Sequence, residues 1–133
     1  DVYRNLAKKL KLAYKWVYEN VKPAPKYILK VDEDTFVRVG SVEKWLSQRA
    51  NPDLLDSYEI IAGDFSGGGV ARSGKWAENK YKKSSYPLFP SGAGHIINAK
   101  TLKLIMDNYD KFVVGHDIKW AMMKRCYAAM DEW

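Results

Sequence analysis

The chain predicts an α/β fold on three observations. Apolar residues recur at helical spacing at its start, a short run of strand formers follows at Tyr27–Val31, and helical and extended stretches alternate after it. Of its 133 residues, 47% are apolar and 29% charged, a globular balance that excludes general disorder. The length suits one domain with a modest core. No apolar run approaches the ~18 residues of a membrane span. No basic-then-apolar signal peptide opens the chain. A single cysteine, Cys126, excludes an internal disulfide and a multi-cysteine zinc site.

Val2, Leu6, Leu10, Ala13, Val17 and Val21 recur every three or four positions and form one stripe of an amphipathic helix. Pro23 and Pro25 end it. Tyr27–Val31 reads as a buried strand, and Asp32-Glu33-Asp34 stands at its carboxyl end. Gly40 breaks the chain, Ser41 is the candidate N-cap of a short helix from Val42 to Gln48, and Asn51-Pro52 closes that helix. Tyr58–Ala62 is a second strand, while Gly63 and Gly67-Gly68-Gly69 mark turns. Residues 71–85 are polar and basic and read as a loop around Trp76.

Tyr86-Pro87 to Gly94 reads as a rigid and then permissive turn, and His95-Ile96-Ile97 as a short extended piece. Leu102, Ile105, Met106 and Tyr109 define a helix that Asn98 can cap. Ile118, Ala121, Met122, Arg125 and Ala129 share a face of a last helix. There is no internal repeat. Two clear strands and one or two weaker ones are few for an α/β sheet of about five or six. The first methionine is Met106. Both features lead to the expectation that the sequence is an incomplete fragment of a longer protein.

The net charge of +6 comes from 22 Lys+Arg and 16 Asp+Glu. Residues 1–30 hold all of that excess: eight basic residues, Arg4 and Lys9 among them, against Asp1 and Glu19. The remainder is neutral. A basic first helix can face an anion or be a solvated face. Without an arginine-rich run or a nucleic-acid motif, nucleic acid is not expected as a partner.

Asp32-Glu33-Asp34 is the densest chemistry in the chain. Ligands of open α/β sheets bind at the carboxyl ends of strands. In an extended chain Asp32 and Asp34 project to one side. Their repulsion is relieved by a cation, and oxygen-only donors favour Mg²⁺ or Mn²⁺. A solvated acidic turn is the plainer alternative. An EF-hand is excluded because no Gly follows in register. The Gly67–Gly69 run lacks the Lys-Ser/Thr ending of a P-loop.

Five motifs then stand in an order similar to that of one family. Asp1-Val2-Tyr3-Arg4-Asn5-Leu6 with Lys9 resembles D-x-Y-x-N-L-T-x-K, and Lys30-Val31-Asp32-Glu33-Asp34-Thr35-Phe36-Val37 resembles K-x-D-D-D-x-F-V. Lys75-Trp76, Tyr86-Pro87 to Gly94, and His116-Asp117-Ile118 resemble K-W, Y-P-x-Y-x-S-G-x-G-Y and E-D-V. Together they resemble the β-1,3-galactosyltransferase-like glycosyltransferases of family 31. The chain departs from the pattern at Ala7 (Thr), Glu33 (Asp), Pro90 (Cys in many members), His95 (Tyr) and His116 (Glu).

The resemblance implies a GT-A-like fold, with residues 1–133 part of a single catalytic domain whose nucleotide-binding strands and membrane anchor lie elsewhere. It implies a lumenal domain at the Golgi membrane. It further implies inverting transfer of a hexose from a UDP-sugar to a hydroxyl of a glycan or glycoprotein acceptor, with a β-1,3 linkage. Asp34 and Asp32 would hold Mn²⁺ (or Mg²⁺), and Asp117 would be the base. Lys9, Lys30, Glu33, Ser91, Gly92 and Gly94 would line the donor, and Trp76, Phe89 and His116 the acceptor or sugar. Asp117 also fits a plain helix N-cap, and the Gly-rich turn fits a turn alone. His116 in place of Glu keeps open a non-catalytic relative that binds sugar or nucleotide sugar.

Overall fold

A computed structural model describes residues 6–49, 52–74, 77–79 and 81–111. Helix α1 spans Leu6–Asn20. Its inner stripe is Leu10, Tyr14 and Val17. The expected stripe is therefore corrected at two places: Leu6 is 51% exposed, and Ala13 is exposed. Tyr14, only 2% exposed, takes the central position. Spacings of four and three still trace one helical face, and the tyrosine ring fills far more of the core than Ala13 could.

Strand β1 spans Tyr27–Val31, the residues the sequence predicts, but it is not the buried strand expected: Leu29 and Val31 are exposed and the others at most half-buried, because the described sheet gives it a partner on one side only. Helix α2 spans Val39–Lys44 and runs on into one π-helical stretch, Trp45–Arg49. Ser41 is not its cap. Arg38 is the N-cap residue, without a side-chain bond, and its carbonyl accepts from the Ser41 and Val42 amides at 2.9 and 3.2 Å. Gly40, expected as a break, lies inside the helix. The preceding helical stretch ends at Arg49, ahead of Asn51-Pro52 as expected, and Pro52 also opens helix α3, Pro52–Ser57. Proline suits a first helical position, where the missing N–H has no intrahelical partner.

Strand β2 spans Ile61–Gly69 and β3 spans Ser85–Asn98. This corrects three expected turns. Gly63, Gly67–Gly69 and residues 86–94 are all extended, with Gly63 opposite His95, Gly68 opposite Tyr86 and Gly69 opposite Ser85. Local glycine content favours turns, but each segment supplies the ladder partner of the other. The permissiveness shows instead as register shifts between Gly63 and Phe65 and between Ser66 and Gly68. The early strand expected at Tyr58 begins only at Ile61. Helix α4 spans Ala99–Asp107 and is capped by Asn98, as predicted. Tyr109 falls in a following 3₁₀ turn, Tyr109–Lys111.

The described strands form one antiparallel sheet in the order β1-β3-β2. The class is mixed α/β. Among the described residues no helix is long and apolar enough to cross a membrane. The expected last helix and Cys126 lie outside the described residues.

Each sheet face carries its own core. Tyr14, Ile61, Ile97, Leu102 and Ile105 pack on one side, with Ile28 and Phe65 against them. Leu55, Ile60, Ala62 and Ile96 pack on the other, against Tyr27, Val42, Trp45 and Leu46. Alternation along the strands explains the division. Ile28, Ile97 and Ile61 form a cross-strand row on the α1 side. The next row on that face is Lys30, His95 and Gly63, which leads from the core to the acidic end of β1.

Candidate functional site

The site starts from two strands meeting at Val31 and Gly94, which are register partners. A Cβ on Gly94 would stand 3.3 Å from Val31 Cγ1 and 3.4 Å from the Lys30 carbonyl, so glycine permits this approach. The ladder continues one step past β1, where the Asp32 amide donates to the Ala93 carbonyl at 3.1 Å. The chain then turns: the Thr35 amide donates to the Asp32 carbonyl at 3.1 Å, with Glu33 and Asp34 at the central positions. The acidic motif is thus a turn, which corrects the extended arrangement expected for it. A four-residue turn closed by that bond cannot keep strict two-residue alternation.

Asp32 is partly buried, while Glu33 and Asp34 are exposed. The Lys30 ammonium donates to Asp32 Oδ1 and to the Gly92 carbonyl. The second carboxylate oxygen, Oδ2, faces Gly92, where an added Cβ would stand 3.5 Å away. Asp32, Lys30 and Gly92 are therefore brought together, with Ala93 and Gly94 behind them. Ser91 is on the same stretch of β3, and its hydroxyl accepts from the Ala93 amide at 3.4 Å.

Other expected site residues fall elsewhere. Lys9 lies at an exposed position of α1. Phe89 belongs to an aromatic group on the outer β2–β3 ladder: its ring meets Tyr86 edge-on at 6.1 Å, and Tyr86 meets Tyr81 at 5.1 Å. Trp76, His116 and Asp117 lie outside the described residues, as does Arg4.

His95 and Tyr14, to which sequence reasoning gave no role in the site, support it. His95 is 6% exposed, and its Nε2 is bonded to the Tyr14 hydroxyl at 2.8 Å. This bond ties α1 to β3 beside Lys30. Burial, with the neighbouring Lys30 ammonium adding to it, pushes the imidazole down to about 4, against a weaker upward pull from Asp32. His95 is therefore neutral at physiological pH. Burial likewise raises the Tyr14 hydroxyl. Gly63 makes room for the imidazole, since a Cβ there would stand 3.0 Å from the Gly94 carbonyl and 3.2 Å from His95 Cβ. No local signal marks these contacts, because 81 positions separate Tyr14 from His95.

The donor set can be tested against a divalent metal. Among the described residues, no three His, Cys, Asp or Glu side chains form a cluster able to hold one. Asp32 Oδ2 over the bare Gly92, and the exposed Asp34, offer hard oxygen donors only. Such a partial shell fits a Mg²⁺- or Mn²⁺-like ion that keeps water and takes phosphate oxygens from a ligand. It fits poorly a cation caged by protein alone.

Comparison with known proteins gives the family. The sequence model described as galactosyltransferase matches residues 1–124. A Xenopus laevis protein named UDP-GalNAc:beta-1,3-N-acetylgalactosaminyltransferase 2 is 27% identical over 150 residues, covering 98% of this chain and 30% of its own length. The Homo sapiens protein of that name is 31% identical over 109 residues, covering 81% of this chain and 21% of its own. A Rattus norvegicus UDP-GalNAc:beta-1,3-N-acetylgalactosaminyltransferase 1 is 27% identical over 117 residues, covering 87% and 33%. The chain spans about a third or less of the length of these relatives. With β1, β3 and the acidic turn all inside a match that covers most of its residues, the chain belongs to the galactosyltransferase family of glycosyltransferase enzymes.

Proposed function

We propose that the protein containing this chain transfers a hexose from a UDP-sugar to a glycan hydroxyl with inversion, forming a β-1,3 linkage. The observation that carries this reading is the end of β1, where Asp32 is anchored by Lys30 and the β3 backbone and keeps one carboxylate oxygen over Gly92. The names of the relatives favour a UDP-N-acetylhexosamine over UDP-galactose as donor. We place the intact domain in the Golgi lumen, attached to the membrane through a segment outside this sequence.

Asp32 and Asp34 are the proposed holders of Mn²⁺ or Mg²⁺. When bound, such an ion supplies charge neutralisation to the departing diphosphate. The chain's own groups do the rest. Lys30 and the open backbone of Ser91, Gly92 and Gly94 bind the donor, with Glu33 and Lys9 at its margin. Asp117 takes the proton of the acceptor hydroxyl as that oxygen attacks the anomeric carbon. The bond from carbon to the diphosphate breaks on the opposite face, and UDP leaves with the electron pair. This is the division of labour of inverting glycosidases, with a sugar hydroxyl in place of water. Trp76, Phe89 and His116 are assigned to the acceptor side.

In the full-length protein, Asp34→Ala and Asp117→Ala should each lower turnover of the UDP-sugar by roughly 10³-fold, as expected for loss of charge stabilisation or of a base. Wild-type turnover in both variants would overturn the reading. His116, standing where the family has Glu, favours a second one. On it, Mn²⁺-dependent UDP binding measured by calorimetry persists while no acceptor is glycosylated.

A further inference from the structure

We propose that Lys30 is a built-in counter-cation of Asp32, which a divalent metal displaces and which then turns to the diphosphate. The inference rests on the glycosyl-transfer reading above and adds to it the order in which charges are exchanged.

The Lys30 side chain has few directions open to it. It lies on the α1 face of the sheet, after Ile28 and beside His95. The inward direction is closed. Ile28 packs on the apolar core, and His95 is buried with its Nε2 already bonded to Tyr14. A neutral imidazole gives an ammonium no compensating charge, and an unpaired buried ammonium is strongly disfavoured. The side chain therefore extends toward the end of β1. There, among the described residues, its partners are Asp32 Oδ1 and the Gly92 carbonyl. An ammonium has three donors, so a third remains for an anion.

This ion pair differs from the others on the sheet and helices. The Lys30 side chain is 23% exposed, against 45% for Lys15 in its pair with Glu19, 64% for Lys26 with Asp56 and 63% for Lys103 with Asp107, while Asp32 itself, at 46%, stays open to a ligand. Solvent screens those outer pairs, whereas the Lys30 charge acts on Asp32 with less screening. A cation approaching Asp32 Oδ2 from the Gly92 side meets a carboxylate that is already neutralised. Metal binding to the empty site is weakened, and binding of the metal frees the ammonium. A diphosphate supplies the ammonium with a new partner. Metal and diphosphate therefore favour one another, and linkage makes that coupling reciprocal.

The test is Mn²⁺ binding by the full-length protein, read from the electron paramagnetic resonance of free Mn²⁺, with and without UDP and without any turnover. The wild type should bind Mn²⁺ weakly alone and at least about 10-fold tighter with UDP. Lys30→Met should bind Mn²⁺ alone about 5-fold tighter than wild type, and its gain from UDP should fall to roughly 2-fold. Lys30→Arg keeps the charge and should not tighten Mn²⁺ binding. Lys30→Gln should follow Lys30→Met, and it serves as the neutral variant if Lys30→Met does not fold. Loss of Mn²⁺ binding in Asp34→Asn, with unchanged or weaker binding in a folded neutral Lys30 variant, removes the counter-cation role and leaves the metal site standing. Unchanged binding in both overturns the metal site and the inference together.

Discussion

The two ends of the β1–β3 ladder are built on opposite plans. At one end stands Asn98, opposite Tyr27 and 3% exposed. Its Oδ1 accepts from the Ile60 amide at 3.2 Å and from the Thr101 amide and hydroxyl at 2.9 Å each. Its Nδ2 donates to the carbonyls of Leu55 at 2.9 Å and Tyr58 at 2.7 Å. One amide thus fastens α3, the segment from Tyr58 to Ile60 that leads into β2, and α4. At the other end Asp32 is partly exposed, holds one lysine, and leaves an oxygen over a glycine. The saturated end stores stability, and the other end is the one proposed to bind a ligand. One strand pair carries both because its five paired positions, from Tyr27 opposite Asn98 to Val31 opposite Gly94, hold them apart.

The comparison can be broken first at Asn98. Asn98→Ala strands several buried donors and acceptors at once, so a loss of roughly 3–5 kcal/mol is expected in urea unfolding of the intact domain. A loss below about 1 kcal/mol would mean that the hub does not bear on stability. Acid probes the region between the two ends. His95 is neutral when folded, titrating at about 4 instead of near 6.5. Between those values the unfolded chain binds more protons than the folded one. The stabilisation is therefore fully present above about pH 6.5 and is lost as pH falls toward 4, by on the order of 2–3 kcal/mol. The charged groups beside the imidazole are Lys30 and Asp32, and Tyr14 is its hydrogen-bond partner. His95→Gln should flatten that part of the pH–stability profile, and an unchanged slope would assign the effect to other groups. The smallest effect belongs to the open end. Asp32→Asn should change unfolding stability by no more than about 1 kcal/mol, because its ion pair is partly solvated. A larger loss would make Asp32 a second structural hub and erase the contrast.

What the sequence disclosed follows the range of the forces involved. Helix α1, strand β1 and the Asn98 cap rest on neighbours a few residues apart, and the chain itself announced them. The acidic motif at the end of β1 was legible for the same reason. The Gly67–Gly69 strand was not, since its order comes from β3 and glycine alone signals a turn. Nor was the choice of Tyr14 over Ala13, which depends on a histidine 81 positions away. The pairing of Lys30 with Gly92 spans 62 positions and has no local signature. The site residues that came from family resemblance divide in the same way. Asp32, Lys30 and Gly92 meet, Phe89 sits in an aromatic group on the outer ladder, and Trp76, His116 and Asp117 fall outside the described residues.

The register shifts in β2 have an evolutionary consequence. They fall after Gly63 and after Ser66, between the inner ladder that aligns His95 with Lys30 and the outer ladder that ends at Gly69 and Ser85. A residue gained or lost beyond them can be absorbed by the outer ladder and the segment 70–84, where Arg72 already gathers the carbonyls of Glu78, Tyr81 and Lys83. The inner ladder keeps its phase, so the tip of the hairpin is free to diversify in length while the lysine, the aspartate and the glycine stay in step.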